Sequence, residues 1–468
     1  MTLKDEIFNR IENGRCEVLG LGISNLPLCR WLIEKGAEVV GRDMKKAEEI
    51  AAASELSNLG VTLVTGEDYL ADIGGDIPEK TVIFRAPGMR PDMEQIANAV
   101  KKGALLTSEM ELFLELTPAT VLGITGSDGK TTTTTLVGKI LEEEFSGTDR
   151  RVYVGGNIGQ PLLPIVEEMK ASDFAVVELS SFQLMTVKKS PNRAIITNIT
   201  PNHLNWHTDM EEYDTAKRNV YSFAPCEKVI LNAENERTAK AGAEAKIPVA
   251  YFSSKRELAG EAAFLRDGAI IYSDGEREEK VLDTESIAIP GMHNVENYMA
   301  AILLTRPFVS VKSVRKVAES FAGVEHRCEF FCERGGVRYY NSSIDSTPTR
   351  TAAALSNFKI KPIVICGGRD KNTDFAPLAK TLCDKAKTVV LTGEAMGKIK
   401  TALLEYPEFE GSGLAVAEEP DFEKAALLAS KMAKTGDLVI LSPACTSFDA
   451  FKNFEERGKK FKEIIKNI

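Results

Sequence analysis

Lys130, Thr131, Glu178 and His203 are of types that suit phosphate and metal chemistry, and each follows an apolar run. Lys130 and Thr131 belong to Thr125-Gly-Ser-Asp-Gly-Lys-Thr-Thr132, directly after the apolar segment 120–124. Leu136, Val137, Ile140 and Leu141 then recur at helical spacing. The order is strand, glycine turn, helix N-terminus. The first amides of a helix lack intrahelical acceptors, and the helix dipole favours an anion there. Lys130 can reach the outer phosphates of a nucleotide, and the Thr131 hydroxyl can ligate Mg²⁺. Gly126, Ser127, Asp128, Gly129 and Thr132 complete the expected ATP-contacting loop. The general phosphate-loop pattern begins with a glycine where Ile124 stands, between Gly123 and Gly126. The competing reading is a plain glycine-rich turn; Gly-Lys-Thr at a helix start favours nucleotide phosphates.

Glu178 ends the buried strand pattern Phe174-Ala-Val-Val-Glu178. A carboxylate at such a strand end suits a metal ligand, and the alternative is a helix cap or a surface acid. His203 and His207 lie in Pro201-Asn-His-Leu-Asn-Trp-His207, after another apolar strand. His203 is favoured for function, because its strand end should fall near the phosphate loop. His207 is left open between function and structure. Lys217, within the helical pattern 210–221, reads from the residues alone as a solvated lysine. Asn294, near another helix start, either caps that helix or hydrogen-bonds an adenine. Arg327 falls at a domain junction and suits a phosphate contact from a moving domain.

At 468 residues the chain has material for about two to four domains. A net charge of −10 disfavours a nucleic-acid surface, so an anionic ligand needs local lysines, helix ends and metal. Eight cysteines are scattered without a Cys-x-x-Cys pair, which points to free thiols in a reducing compartment. The start carries no apolar signal region, and no apolar run is long enough to span a bilayer. A cytoplasmic location is expected.

The positioning elements alternate strand and helix throughout, so the fold class is α/β. Three domains are expected. Residues 1–108 open with a strand, the turn Gly20-Leu-Gly22, a helix and a strand ending at Asp43, a Rossmann-like start whose third glycine is replaced by Asn25. That turn either binds a ligand, a mononucleotide before a dinucleotide, or is a bare βα turn; Asp43 could accept from a ribose or a base. Residues 109–322 form a central P-loop ATPase-like domain. Residues 323–468 form a second Rossmann-like sheet, with strand-then-glycine-loop segments near 362–374, 388–393 and 437–448.

Thr125-Gly-Ser-Asp-Gly-Lys-Thr-Thr, Gly156-Asn-Ile-Gly, Glu178-Leu-Ser-Ser-Phe-Gln, Asn202-His-Leu, Pro290-Gly-Met-His-Asn and His326-Arg together resemble the Mur ligases of peptidoglycan synthesis. Ser442-Pro-Ala-Cys-Thr-Ser-Phe-Asp-Ala-Phe-Lys-Asn-Phe-Glu-Glu-Arg-Gly458 resembles the branch of that family that adds D-glutamate to UDP-N-acetylmuramoyl-L-alanine. The likeness spans essentially the whole chain. It implies an N-terminal UDP-substrate domain, a central ATP domain, and a C-terminal domain that binds the amino acid and closes on ATP. It implies ATP and Mg²⁺ (or Mn²⁺), an acyl-phosphate intermediate, small-molecule partners only and a monomer.

By the same resemblance Lys130 is the phosphate lysine, and Thr131, Glu178 and His203 surround the metal. Lys217 is a carbamylated lysine near that metal. Asn294 and Arg327 contact ATP. Ile23, Ser24, Asp43 and Gly88 fall in the UDP region, and Asn157 lies near the acyl-accepting substrate. Lys371, Ser447 and Phe454 form the D-glutamate site. Asn202 and Ser342 stand where relatives carry Asp, and Asp345 is the candidate replacement for the second. Other readings are a related ligase for another amino acid, a nucleotide-regulated binding protein, and an NAD-dependent oxidoreductase resting on Gly20 and Gly22 alone.

Overall fold

The computed structural model describes residues 3–468 except 23, 51 and 372. Ile23, expected in the UDP region, therefore lies outside the described residues. The chain divides into two compact units, Met1–Ser286 with Val295–Ala318, and Ile287–Asn294 with Glu319–Ile468.

The first unit holds two sheets. One has five parallel strands: β1 (Arg15–Leu19), β2 (Glu38–Asp43), β3 (Thr62–Thr65), β4 (Thr81–Arg85) and β5 (Leu105–Thr107). Their spatial order is β3-β2-β1-β4-β5. The order reverses between β1 and β4, so the loops after these two strands flank the crevice where open α/β sheets take ligands.

The second sheet has nine strands: β6 (Thr120–Thr125), β7 (Val152–Gly156), β8 (Phe174–Glu178), β9 (Arg193–Ile196), β10 (Lys228–Asn232), β11 (Val249–Ser253), β12 (Glu261–Arg266), β13 (Ala269–Asp274) and β14 (Glu278–Asp283). They run β14-β13-β12-β11-β10-β9-β6-β8-β7, parallel except for the last hairpin turns β12-β13-β14. β6 is flanked by β8 and β9, with Ile124 opposite both Glu178 and Ile195. The phosphate loop, Glu178 and the His203 loop thus leave adjacent strands at the same edge. One apolar core runs through both sheets, from Ile7, Val18 and Trp31 to Val177, Ile196 and Leu231. The four buried residues of β8 before Glu178 read as a continuous apolar run because both faces are covered.

The second unit holds β15 (Glu329–Arg334), β16 (Val337–Asn341), β17 (Ile363–Gly367), β18 (Thr388–Thr392), β19 (Ala415–Glu418) and β20 (Leu438–Leu441). The order is β15-β16-β20-β17-β18-β19, with only β15 antiparallel. Cores on its two faces centre on Leu378 and Leu391, and on Ile365 and Phe461. Insertion of β20 between β16 and β17 brings the loops after these three strands side by side.

Candidate active site

The phosphate loop is shaped by two close approaches. A Cβ on Gly126 (φ +145°) would lie 1.9 Å from Thr197 Oγ1, and one on Gly129 (φ +80°) 2.5 Å from Asn297 Oδ1. Only glycine fits either position. Asn198 anchors the loop: its carbonyl accepts from Ser127 N (2.9 Å) and its Oδ1 from Asp128 N (3.0 Å). Ser127 also turns its hydroxyl inward, donating to Thr200 O (3.0 Å) beside the Tyr213 hydroxyl (2.9 Å). Ser127 therefore holds the loop's shape, whereas Thr131 and Thr132 stand half-buried in the first turn of the Lys130–Glu144 helix.

Two lysine side chains converge on one carbonyl. Lys130 Nζ donates to Gly126 O (3.0 Å) and Ser127 O (2.9 Å). Lys217 Nζ donates to the same Gly126 O at 2.8 Å and sits 4.6 Å from the Tyr213 ring centroid. Lys217 is 1 % exposed, which corrects the expectation of a solvated helix lysine. The Met210–Arg218 helix presents it inward, under the loop. Burial, and then the nearby Lys130 charge, push its amine well below the usual lysine range.

Glu178 is 1 % exposed. Its Oε1 accepts from Asn157 Nδ2 (2.8 Å) and its carbonyl from Asn157 N (2.8 Å). Its Oε2 is buried with no hydrogen-bond donor. A carboxylate oxygen left in this way suits a cation. His203 is exposed, in a left-handed backbone conformation (φ +56°), with its ring 4.8 Å from that of Phe182. Partial burial, Lys130 and Lys217 all keep its imidazole neutral at lower pH than usual.

At the five-stranded sheet, Asp43 turns to its own backbone. It accepts from Leu21 N (2.7 Å) and Lys45 N (2.9 Å), fixing the glycine turn. Asn25 replaces the missing glycine by donating its amide to Leu19 O (3.0 Å) and Gly20 O (2.9 Å). Ser24 precedes the Asn25–Glu34 helix without a side-chain cap bond. Gly88 lies on the β4 turn, where its carbonyl accepts from Trp206 Nε1 (2.8 Å).

In the second unit, Asn294 lies inside its helix rather than ahead of it. It is the third residue of Met292–Thr305, and its Nδ2 donates to Pro290 O (2.6 Å). Arg327 follows the buried His326 and lies close enough to Asp345 to favour its charged form. Asp345, 5 % exposed, accepts from Ser442 Oγ (2.8 Å). Burial raises its carboxyl to about 6. Lys371 is exposed, its Nζ 5.5 Å from the Phe448 ring centroid. Ser447 is buried in the loop after β20, which pairs with the Lys371 loop through Arg369 N to Thr446 O (2.9 Å). Phe454 starts the last helix, edge-on to His326 at 5.9 Å.

Arg457, which residue type and spacing do not single out, joins these loops. This 2 % exposed guanidinium donates to Ser343 Oγ (3.0 Å), Ser343 O (2.8 Å) and Cys445 O (3.1 Å). Its one signal is an arginine between the glutamates and glycine of the long C-terminal motif. Glu325, His326 and Glu329 cluster as metal ligands would, but Lys462 Nζ donates to both carboxylates at 2.8 Å.

Parallel sheets with a glycine loop, lysine and orphaned buried carboxylate at one strand edge define a nucleotide-phosphate-binding α/β protein. Comparison with known proteins narrows this. The Mur ligase middle domain matches residues 124–305, and the Mur ligase, glutamate ligase domain matches residues 326–445. A UDP-N-acetylmuramoylalanine--D-glutamate ligase of Clostridium perfringens is 47% identical over 98% of this chain and 98% of its own. One from Clostridium botulinum (strain Alaska E43) is 46% identical over 97% of each. A pseudomurein peptide ligase type C from Methanothermus fervidus shares the fold, with a TM-score of 0.52 at 18% identity, over 97% of this chain and 100% of that one. The chain belongs to the Mur ligase family, on the branch of the UDP-N-acetylmuramoylalanine--D-glutamate ligases.

Proposed function

We propose that this chain joins D-glutamate to UDP-N-acetylmuramoyl-L-alanine, driven by ATP. The observation that carries the reading is the convergence of Lys130 and Lys217 on Gly126 O, beside Glu178 with its undonated Oε2. A carboxylate is a poor electrophile. Transfer of the γ-phosphoryl group to the alanyl carboxylate releases ADP and leaves an acyl phosphate. The D-glutamate amine then forms the amide bond as the C–O bond to phosphate breaks, and the amine loses a proton. The protein positions the reactants and neutralises charge.

Lys130 and the loop amides at Gly129, Thr131 and Thr132 hold the phosphates. Thr131, Glu178, His203 and Lys217 would hold Mg²⁺ or Mn²⁺, which when bound neutralises charge on the phosphoryl oxygens. The buried, depressed Lys217 amine is the form that reacts with CO₂, so a carbamate on it fits this surrounding. Ser24, Asp43, Gly88 and Asn157 are assigned to the UDP substrate, Asn294 and Arg327 to ATP, and Lys371, Ser447 and Phe454 to D-glutamate. The three sheets support domains at 1–108, 109–322 and 323–468. All eight cysteines are free thiols, and no helix among the described residues is long and apolar enough to cross a membrane. These support a cytoplasmic enzyme, which we read as monomeric. Phosphate release that requires both UDP-N-acetylmuramoyl-L-alanine and D-glutamate is the expected result. Release with L-alanine or a diamino acid in place of D-glutamate would sink the assignment.

A further inference from the structure

Beneath the candidate metal residues, side chains tie three strand ends together. His207 is 2 % exposed. Its Nδ1 lies 3.1 Å from Glu212 Oε2, and its Nε2 lies 2.9 Å from Ser181 Oγ. Arg90 holds the Glu212 carboxyl down at about 2, so Glu212 is an anion and can only accept. The hydrogen is therefore assigned to Nδ1, and Nε2 accepts from the Ser181 hydroxyl. Arg90, on the loop after β4, donates to Glu212 at 2.9 and 3.1 Å and to Trp206 O at 2.7 Å. Phe182 lies parallel to His207 (5.6 Å between centroids) and against His203 (4.8 Å).

A Ser–His–carboxylate series has the atom order of a nucleophile, its base and the base's orienting acid. Here Ser181 is 2 % exposed and no substrate reaches it, so the series transmits position. Ser181 comes three residues after Glu178, and His207 four after His203. The hydrogen bond between them spans the gap between the β8 and β9 loops. Through Glu212 and Arg90 the same chain reaches the β4 loop that carries Gly88. His207 bridges the two loops that bear the candidate metal residues.

We infer that His207 is a positioning residue that fixes Glu178 against His203 and couples both to the Gly88 loop. The inference rests on the ligase reading. Partners that orient ligands from behind typically change metal affinity by about 10- to 100-fold when removed.

The test uses the full chain, with Mn²⁺ binding in the presence of ATP followed by electron paramagnetic resonance, alongside D-glutamate-dependent phosphate release. A wild-type chain that releases no phosphate in this way overturns the ligase reading and this inference with it. With an active wild type, His207→Ala is expected to weaken Mn²⁺ binding about tenfold or more. Ser181→Ala, which removes only the far partner, should act in the same direction. The double variant should bind no more weakly than His207→Ala, because both changes delete one interaction. His207→Asn, which keeps a donor toward Glu212, should recover part of the affinity. Wild-type Mn²⁺ affinity in both single variants would reduce His207 to core filling and overturn the inference. If His207→Ala does not fold, Ser181→Ala decides alone, and unchanged affinity there overturns it equally.

Discussion

Each unit buries a carboxylate at the C-terminal ends of its parallel strands, and the two are treated differently. Glu178 receives one donor, from Asn157, and keeps a buried oxygen with none. Asp345 is answered by the Ser442 hydroxyl and by the charge of Arg327 and Arg350. The β6–β8–β9 edge thus keeps one carboxylate oxygen that no side chain answers. The β16–β20–β17 edge is held together by the chain's own side chains, with Arg457 bonding across its loops. A buried carboxylate oxygen without a donor is costly, and such an oxygen suits the cation proposed for this edge.

The contrast can be broken at its most charged point. Lys130→Ala removes the accessible cation of the first edge and should lower kcat by at least ~10². Steady-state phosphate release measures this, and near-normal kcat would remove the phosphate-loop assignment.

Lys217→Ala comes next, with a loss of at least ~10-fold in kcat, on the scale of removing a metal-side group. If Lys217 works as a carbamate, formate or acetate should restore part of that activity, and should not do so for Lys217→Arg. Full activity of Lys217→Ala in bicarbonate-free buffer would refute the carbamate.

At the second edge, Lys371→Ala should raise the KM for D-glutamate about ten- to a hundredfold, the scale of a charge-assisted hydrogen bond. The KM for ATP should move far less. Equal changes in both would make Lys371 structural.

The last effect is on stability rather than on turnover. Asp345 titrates at about 6 when folded against 3.8 when free. The folded chain therefore binds this proton more tightly than the unfolded chain does. Its contribution is fully present below about 3.8 and is lost as pH rises through about 6. The lost contribution is roughly 3 kcal/mol. Asp345→Asn should gain on the parent in Tm as pH rises from about 4 to about 7. A constant difference in Tm across that range would contradict the burial argument.

The strand ends of both edges were legible in the sequence. Glycine turns after apolar runs located the loops at Gly126, Gly156 and Gly367, because a parallel strand buried on both faces has a simple apolar signature. The depth of individual polar residues was not legible. Lys217 sits in a helix rich in charge, and only packing beneath the phosphate loop buries it. His203 and His207 share one turn; the left-handed backbone at His203 leaves the first exposed and the second enclosed. Asn25 read as a departure from a glycine pattern, yet its amide bonds the carbonyls of the turn directly. Arg457 was visible only as a letter within a motif, since its partners are Ser343, on a loop distant in the chain, and Cys445 close by.

The indole of Trp206 has an optical consequence. The chain has two tryptophans. Trp31 is buried, edge-on to Phe8 and with Lys35 Nζ 5.5 Å from its ring centroid, at a distance in the chain from the Gly88 turn. Trp206 lies beneath the Arg90 guanidinium, 5.1 Å from its ring centroid, and its nitrogen holds Gly88 O. Indole emission shifts with nearby charge and hydrogen bonding. An occupant that moved the Gly88 turn would thus shift the emission of Trp206, a built-in optical test of the substrate assignment proposed for that turn.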